Sequence, residues 1–260
     1  MSLALITGGS KGIGASIAEA LARRKIDLLI VARNETDLDE IKRHLEEEYK
    51  VSVLTMSCDM SEQGAGEKLT TWIADKNLNI FCHVAGMGGA RDFRELSPDE
   101  LRTMIRTNFE IGVELCWRLA PTLKKNAPAH ILLVASMAGF APIPQKAVYS
   151  ATKSAVYFFS RSLHQILRKN GVKVSCLSPG PVFTKSSIEE TTKRELGRMG
   201  EWMAISPADI GEFTVRQMLR GRMLIIPGRL NRFLSFLMRS LPHQTLARLF
   251  YRDNRIQKSD

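Results

Sequence analysis

The chain has 260 residues, with 37 Lys plus Arg against 27 Asp plus Glu, a formal net charge of +10, 44% hydrophobic residues and 4 cysteines. Ordinary apolar, Gly and Pro content excludes a disordered or collagen-like chain, and the length suits one large α/β domain or two small ones. No apolar run approaches the roughly 18 residues of a bilayer span, Met1 leads almost at once into a strand-like run without a signal-peptide pattern, and Cys58, Cys82, Cys116 and Cys176 have no metal or disulfide spacing, so the sequence predicts a soluble cytoplasmic protein with buried thiols and no metal.

Leu3 to Ile6 reads as the first strand, followed by Thr7-Gly8-Gly9-Ser10-Lys11-Gly12-Ile13-Gly14 and a helical pattern from Gly14 to Arg24. Glycines there let the backbone turn tightly and approach a pyrophosphate, and the positive end of the helix receives its charge. The second strand, Leu28 to Val31, ends in Ala32-Arg33-Asn34. An enzyme for an unphosphorylated dinucleotide places a carboxylate at that strand end to bind the ribose hydroxyls. Here Arg33 and Lys11 can instead bracket a 2′-phosphate. A charge-assisted contact of about 1.5 to 3 kcal/mol corresponds to roughly 10- to 150-fold discrimination, so the spacing predicts NADP, with NADPH preferred over NADH.

Further strands are predicted at Val51 to Met56, Ile80 to Val84, Ile131 to Val134, Val172 to Leu177 and Met223 to Ile226, separated by helical patterns at Asp37 to Tyr49, Pro98 to Leu123 and Val148 to Lys169. Alternating strands and helices call for βαβ units. The expectation is one doubly wound, Rossmann-like sheet of about seven parallel strands, buried on both faces by helices, over residues 1 to 228. The irregular stretch from Pro179 to Ser206 is the longest candidate for a flap over the crevice at the strand ends, assigned to residues 181 to 206.

Tyr149-Ser150-Ala151-Thr152-Lys153 opens a long helical pattern. Four-residue spacing stacks Tyr149 and Lys153 on one face, so the ammonium can stabilise a phenolate and make Tyr149 a workable proton relay. Ser136, after the fifth strand, is placed to hold a carbonyl oxygen beside it. Each signal has a plain structural alternative: a turn glycine, a solvated cation, a Tyr under a Lys stem, a capping Ser.

Taken together, these elements resemble the short-chain dehydrogenase/reductase family over residues 3 to about 228. The resemblance rests on Thr7-Gly-Gly-Ser-Lys-Gly-Ile-Gly14, Asp59 after the third strand, Ala85-Gly86 after the fourth, Asn108, Ser136, Tyr149-x-x-x-Lys153 and Pro179-Gly180-x-x-x-Thr184. It implies hydride transfer at a nicotinamide and a catalytic set of Asn108, Ser136, Tyr149 and Lys153. In that set Ser136 orients the substrate oxygen, Tyr149 moves the proton, Lys153 also binds the nicotinamide ribose, and Asn108 holds a water linked to Lys153. It further implies a cofactor lined by Gly8, Ser10, Lys11, Gly12, Ile13, Gly14, Arg33, Asp59, Ala85, Gly86, Pro179, Gly180, Val182 and Thr184. One departure is visible: His83-Val84 stands where the family usually has Asn-Asn, which puts in doubt the hydrogen bonds tying that strand end to its neighbours. His83 is expected to satisfy local backbone groups and not to act in catalysis.

Residues 220 to 260 hold nine basic residues and two acids, so the body of the chain is nearly neutral. A basic tail without a reader motif on the folded body argues against nucleic acid. Residues 229 to 260 read as a basic amphipathic helical extension, with Phe233, Leu234, Leu237, Met238 and Leu241 at helical spacing and Pro242 starting a second helix that carries Leu246, Leu249 and Phe250. Such a hairpin can lie on an anionic membrane surface, pair with another subunit or pack on its own domain; the reading preferred here sets it at the cleft mouth beside an apolar substrate. The sequence thus predicts an NADPH-dependent enzyme interconverting a carbonyl and a secondary alcohol on an apolar or acyl-chain substrate, as a homo-oligomer. The alternatives are a 3-oxoacyl reductase for carrier- or CoA-linked substrates, served by Arg91, Arg94 and Arg102, and a non-catalytic NADPH-binding or membrane-docking protein.

Overall fold

A computed structural model describes residues 2–88, 93–182 and 205–256, with side chains as far as Tyr251. Seven strands form one sheet: β1 (Leu3–Thr7), β2 (Asp27–Ala32), β3 (Val53–Ser57), β4 (Ile80–His83), β5 (Ala129–Val134), β6 (Val172–Leu177) and β7 (Leu224–Ile225). Every neighbouring pair is parallel, in the order β3-β2-β1-β4-β5-β6-β7. The strands read as continuous apolar runs because both faces of the sheet are covered. Leu5 packs into one core cluster and Ile6 into the other, and both are fully buried. Burying a side chain of that size stabilises the fold by about 1.5 to 3 kcal/mol.

On one face lie α1 (Gly12–Ala22), α2 (Glu35–Tyr49) and α7 (Pro207–Leu219), which contribute Ile17, Leu38 and Val215 to the core. On the other lie α3 (Ala65–Trp72), α5 (Ile111–Lys125) and α6 (Ala147–Leu167), contributing Leu69, Leu115 and Val156. The starts are locally encoded. Asn34 caps α2 by accepting from Asp37 N at 2.9 Å, and Pro207 sits in the first turn of α7.

The helix expected over Pro98 to Leu123 is interrupted. It begins as α4 (Pro98–Ile105), with a Ser97–Glu100 capping box, passes through a π turn at Arg106–Glu110, and resumes as α5. Widening the helix by one residue changes which side chains face the sheet, and the turn contains Asn108, 1% exposed.

The strand order reverses between β1 and β4, and in open α/β sheets ligands bind beyond the strand ends at such a point. After β7 the chain forms α8 (Arg229–Ser240) and α9 (His243–Ile256). The apolar stripe expected of the first tail helix divides: Leu230, Leu234 and Met238 pack against the core, whereas Phe233, Leu237 and Leu241 stand exposed. Among the described residues no helix is long and apolar enough to cross a membrane.

Candidate active site

The switch point is built from backbone first. Gly8 adopts φ +71°, and a side chain there would meet the backbone of Ala85 at 2.7 Å, so the turns after β1 and β4 touch through a glycine. Ala85 N donates to Thr7 O at 2.9 Å and Gly8 N to Val31 O at 2.7 Å, locking three strand ends together. Ser10, Lys11, Gly12, Ile13 and Gly14 then lead into α1. Lys11 caps that helix without a side-chain acceptor, so the amides of the first turn are left for an anion.

His83 fills the departure noted in the sequence. It is 3% exposed, at the end of β4, with Nδ1 2.8 Å from Thr7 Oγ1 and Nε2 3.4 Å from Thr107 O. A carbonyl only accepts, so the proton sits on Nε2, and the Thr7 hydroxyl donates to Nδ1. Burial, with Lys153 nearby, pushes the imidazole down to about 4, and the ring is neutral. One side chain thus ties β4 to β1 and to the π turn.

The four residues of the candidate catalytic set come from three elements, the π turn, the turn after β5 and α6. Asn108 Nδ2 donates to Met87 O at 2.9 Å and to Thr152 Oγ1 at 3.2 Å, while Oδ1 accepts from Met87 N at 2.7 Å. Both amide protons are committed, so a water reaching Asn108 can only donate to its oxygens. Ser136 follows β5 and caps a short 3₁₀ turn at Met137–Phe140, its Oγ accepting from Ala138 N at 3.2 Å. Tyr149 lies in the first turn of α6 and is hydrogen-bonded to Ser136. Lys153, one turn on and 5% exposed, donates from Nζ to Val134 O at 2.9 Å and lies 5.7 Å from the centre of the Tyr149 ring. Gly86 marks the meeting point: a methyl group there would sit 3.1 Å from Asn108 Oδ1 and 3.3 Å from Lys153 Nζ.

The electrostatics depart from the expectation. Burial raises the Tyr149 phenol above its usual pKa, and the Ser136 hydrogen bond lowers it. The Lys153 ammonium addresses the Val134 carbonyl and the face of the Tyr149 ring. Burial brings Lys153 itself down to about 8.

Lys11 and Arg33 flank the crevice with side chains 67% and 78% exposed, and both have carboxylate partners that the sequence did not suggest. Lys11 pairs with Asp37 at 2.8 Å and Arg33 with Asp59 at 3.8 Å. Asp59 also accepts from the Ser61 amide and hydroxyl, each at 2.8 Å. Burial pushes the Asp59 carboxyl up, but those bonds and Arg33 hold it below its ordinary value. No carboxylate stands at Ala32. The uncapped α1 terminus and the two cations fit a dinucleotide bearing an extra phosphate.

Pro179, Gly180 and Val182 follow β6, whereas Thr184 and most of the expected flap lie outside the described residues, as does Arg91. Met137 N donates to Pro179 O at 3.0 Å, joining this turn to the one after Ser136. Sequence reasoning missed Asn231. This residue of α8 is 1% exposed, donates to Pro227 O at 3.1 Å, and packs so tightly that a methyl group on Gly180 would lie 2.8 Å from its Oδ1. The signal was a polar residue, one helical turn before Ser235, at the inward position of an amphipathic helix. Beside Tyr149, Phe93, Leu96, Met104 and Val148 line a small apolar recess. Among the described residues no cluster of metal-ligating groups occurs.

The family model described as short chain dehydrogenase matches residues 2–195. Over 186 residues the chain is 30% identical to the very-long-chain 3-oxoacyl-CoA reductase of Macaca fascicularis, a match covering 70% of this chain and 60% of that protein. The solved short-chain dehydrogenase from Sphingobium yanoikuyae in complex with NADPH superposes with a TM-score of 0.78 at 25% identity, covering 93% of this chain and 97% of the other. The alcohol dehydrogenase from Thermococcus sibiricus complexed with 5-hydroxy-NADP gives a TM-score of 0.74 at 27% identity, with 87% and 95% covered.

Proposed function

Because the chain belongs to the short chain dehydrogenase family, we propose that it is an NADP-dependent oxidoreductase that interconverts a carbonyl and a secondary alcohol, with Tyr149 as the proton donor or acceptor. The observation that carries this reading is the meeting of Asn108 and Lys153 at Gly86, with Tyr149 one helical turn from Lys153 and hydrogen-bonded to Ser136, beside the glycine turn at the sheet's switch point. The nicotinamide supplies or takes the hydride when bound. Lys11 and Arg33 would hold its 2′-phosphate and the first turn of α1 its pyrophosphate, with Gly8, Ala85 and Gly86 leaving room for the backbone to approach.

A substrate carbonyl is oriented by the Ser136 hydroxyl and takes its proton from Tyr149. Raising the phenol's pKa keeps that proton in place at neutral pH, which suits reduction. Lys153 addresses the ring face, and Asn108, through Thr152, fixes the turn of α6 from which Lys153 projects. A water on the oxygens of Asn108 can return the proton afterwards.

Phe93, Leu96, Met104 and Val148 offer apolar surface beside Tyr149 for an apolar or acyl-chain substrate to pack on, although the recess they form with Gln145 and Lys146 is itself only about 10 Å³ and does not enclose a chain. A second reading, a 3-oxoacyl reductase, is favoured by the named activity of the Macaca relative; Arg102, offered for an acidic carrier, is already paired with Asp99 at 2.9 Å. Trp117 on α5 with Phe158 and Ile166 on α6, at 74%, 63% and 65% exposure, supply a face through which subunits can associate. Four buried free cysteines suit a reducing, cytoplasmic compartment.

The test is a series of ketones of increasing chain length assayed with NADPH and with NADH. The proposal expects kcat/KM to be at least tenfold higher with NADPH and to rise with chain length. A preference for NADH would remove the assigned roles of Lys11 and Arg33.

A further inference from the structure

Among the described residues twelve large apolar side chains stand exposed, and six of them fall between Phe233 and Tyr251: Phe233, Phe236, Leu237, Leu241, Leu249 and Tyr251. The inward side of α8 is already occupied, with Asn231 against Gly180, Ser235 fully buried, and Leu234 and Met238 on the core. Phe233, Phe236 and Leu237, at spacing i, i+3 and i+4, therefore form one ridge on the outward side. Phe233 and Phe236 are 59% and 60% exposed. Residues 229 to 251 include Arg229, Arg232, Arg239 and Arg248 and not one Asp or Glu.

Charge decides what the ridge meets. Two copies joined through it would bring Arg229 and Arg232 of each together, four guanidinium groups without a carboxylate, and like charges facing each other across an interface are repulsive. A bilayer with anionic headgroups satisfies both features at once, taking the aromatic and leucine side chains into its interfacial zone and the arginines among its phosphates.

We propose that α8 and the start of α9 form a docking surface for anionic phospholipid bilayers, inserted through Phe233, Phe236 and Leu237 and held by Arg229 and Arg232. The opposite side of α8 touches the Met137–Phe140 turn, where the Arg239 guanidinium lies 5.6 Å from the centre of the Phe140 ring. Docking therefore sets the turn after Ser136 about one helix diameter, ~10 Å, from the lipid.

The experiment is co-sedimentation of the full chain with vesicles of equal parts phosphatidylcholine and phosphatidylglycerol, and with vesicles of phosphatidylcholine alone. The expected result is binding to the mixed vesicles at low salt, loss of that binding as salt is raised, and little binding to phosphatidylcholine. Arg229→Gln with Arg232→Gln should weaken binding about 30-fold, and Phe233→Ser with Phe236→Ser at least tenfold. All four residues are exposed, so unchanged thermal unfolding midpoints establish that the variants fold. The proposal is overturned if wild-type protein stays in the supernatant with anionic vesicles at low salt, or if both double variants bind as well as wild type. It is equally overturned if Phe233→Ser with Phe236→Ser abolishes self-association and leaves vesicle binding untouched.

Discussion

Tyr149 and Lys153 share a helical face, yet their ionisation is governed by burial more than by each other. The phenol is raised and the ammonium lowered to about 8, because each has lost water and gained few charged neighbours. His83 shows the same force in a structural role. Its imidazole has a folded pKa of about 4 against 6.5 when exposed, so it remains neutral in the fold while the unfolded chain takes up a proton. The stability that this provides is complete above pH 6.5 and is lost as pH falls towards 4, a difference on the order of 3 kcal/mol. His83→Asn should flatten that loss, and urea midpoints at pH 7.5 and pH 5 measure it. At the crevice, Arg33→Asp replaces a phosphate partner with a repelling carboxylate; NADPH affinity should fall about 10- to 150-fold while NADH affinity holds or improves, as read by cofactor titration.

At the scale of elements, the site depends on how α8 seats against the turn after β6. Gly180→Ala would force a methyl group to within 2.8 Å of Asn231 Oδ1, and overpacking of that kind costs about 1 to 3 kcal/mol. Since the same turn accepts from Met137 N, the variant should also show a lower kcat, from displacement of Ser136, in steady-state kinetics. The parts that could be read from sequence are those whose signal is local. The strands announce themselves as apolar runs buried on two faces, and Tyr149 and Lys153 meet through simple helical spacing. The π turn at Arg106–Glu110 could not be read, because one added residue hardly disturbs the apolar periodicity from Pro98 to Leu123. Nor could the inward and outward sides of α8 be told apart while leucines occur on both and the two phenylalanines face outward. The partners of Lys11 and Arg33 come from α2 and the end of β3, which only the folded sheet brings near.

Across the whole molecule, half of the net charge of +10 is concentrated in the 32-residue basic extension, whose helices lean on the turns around the site. Removing residues 229 to 260 would uncover the core beneath Leu230, Leu234 and Met238 and leave Gly180 without Asn231. The truncated protein should lose on the order of 3 kcal/mol of stability, visible as a lower Tm. If the extension also borders the substrate path, KM should rise more for long apolar ketones than for short ones.

The proposed reaction rests on Tyr149 transferring the substrate's proton. The most direct measurement is Tyr149→Phe, with NADPH affinity and ketone turnover determined on the same preparation. The account predicts turnover reduced by about 10²- to 10⁴-fold with NADPH binding unchanged; turnover at the wild-type rate would contradict it.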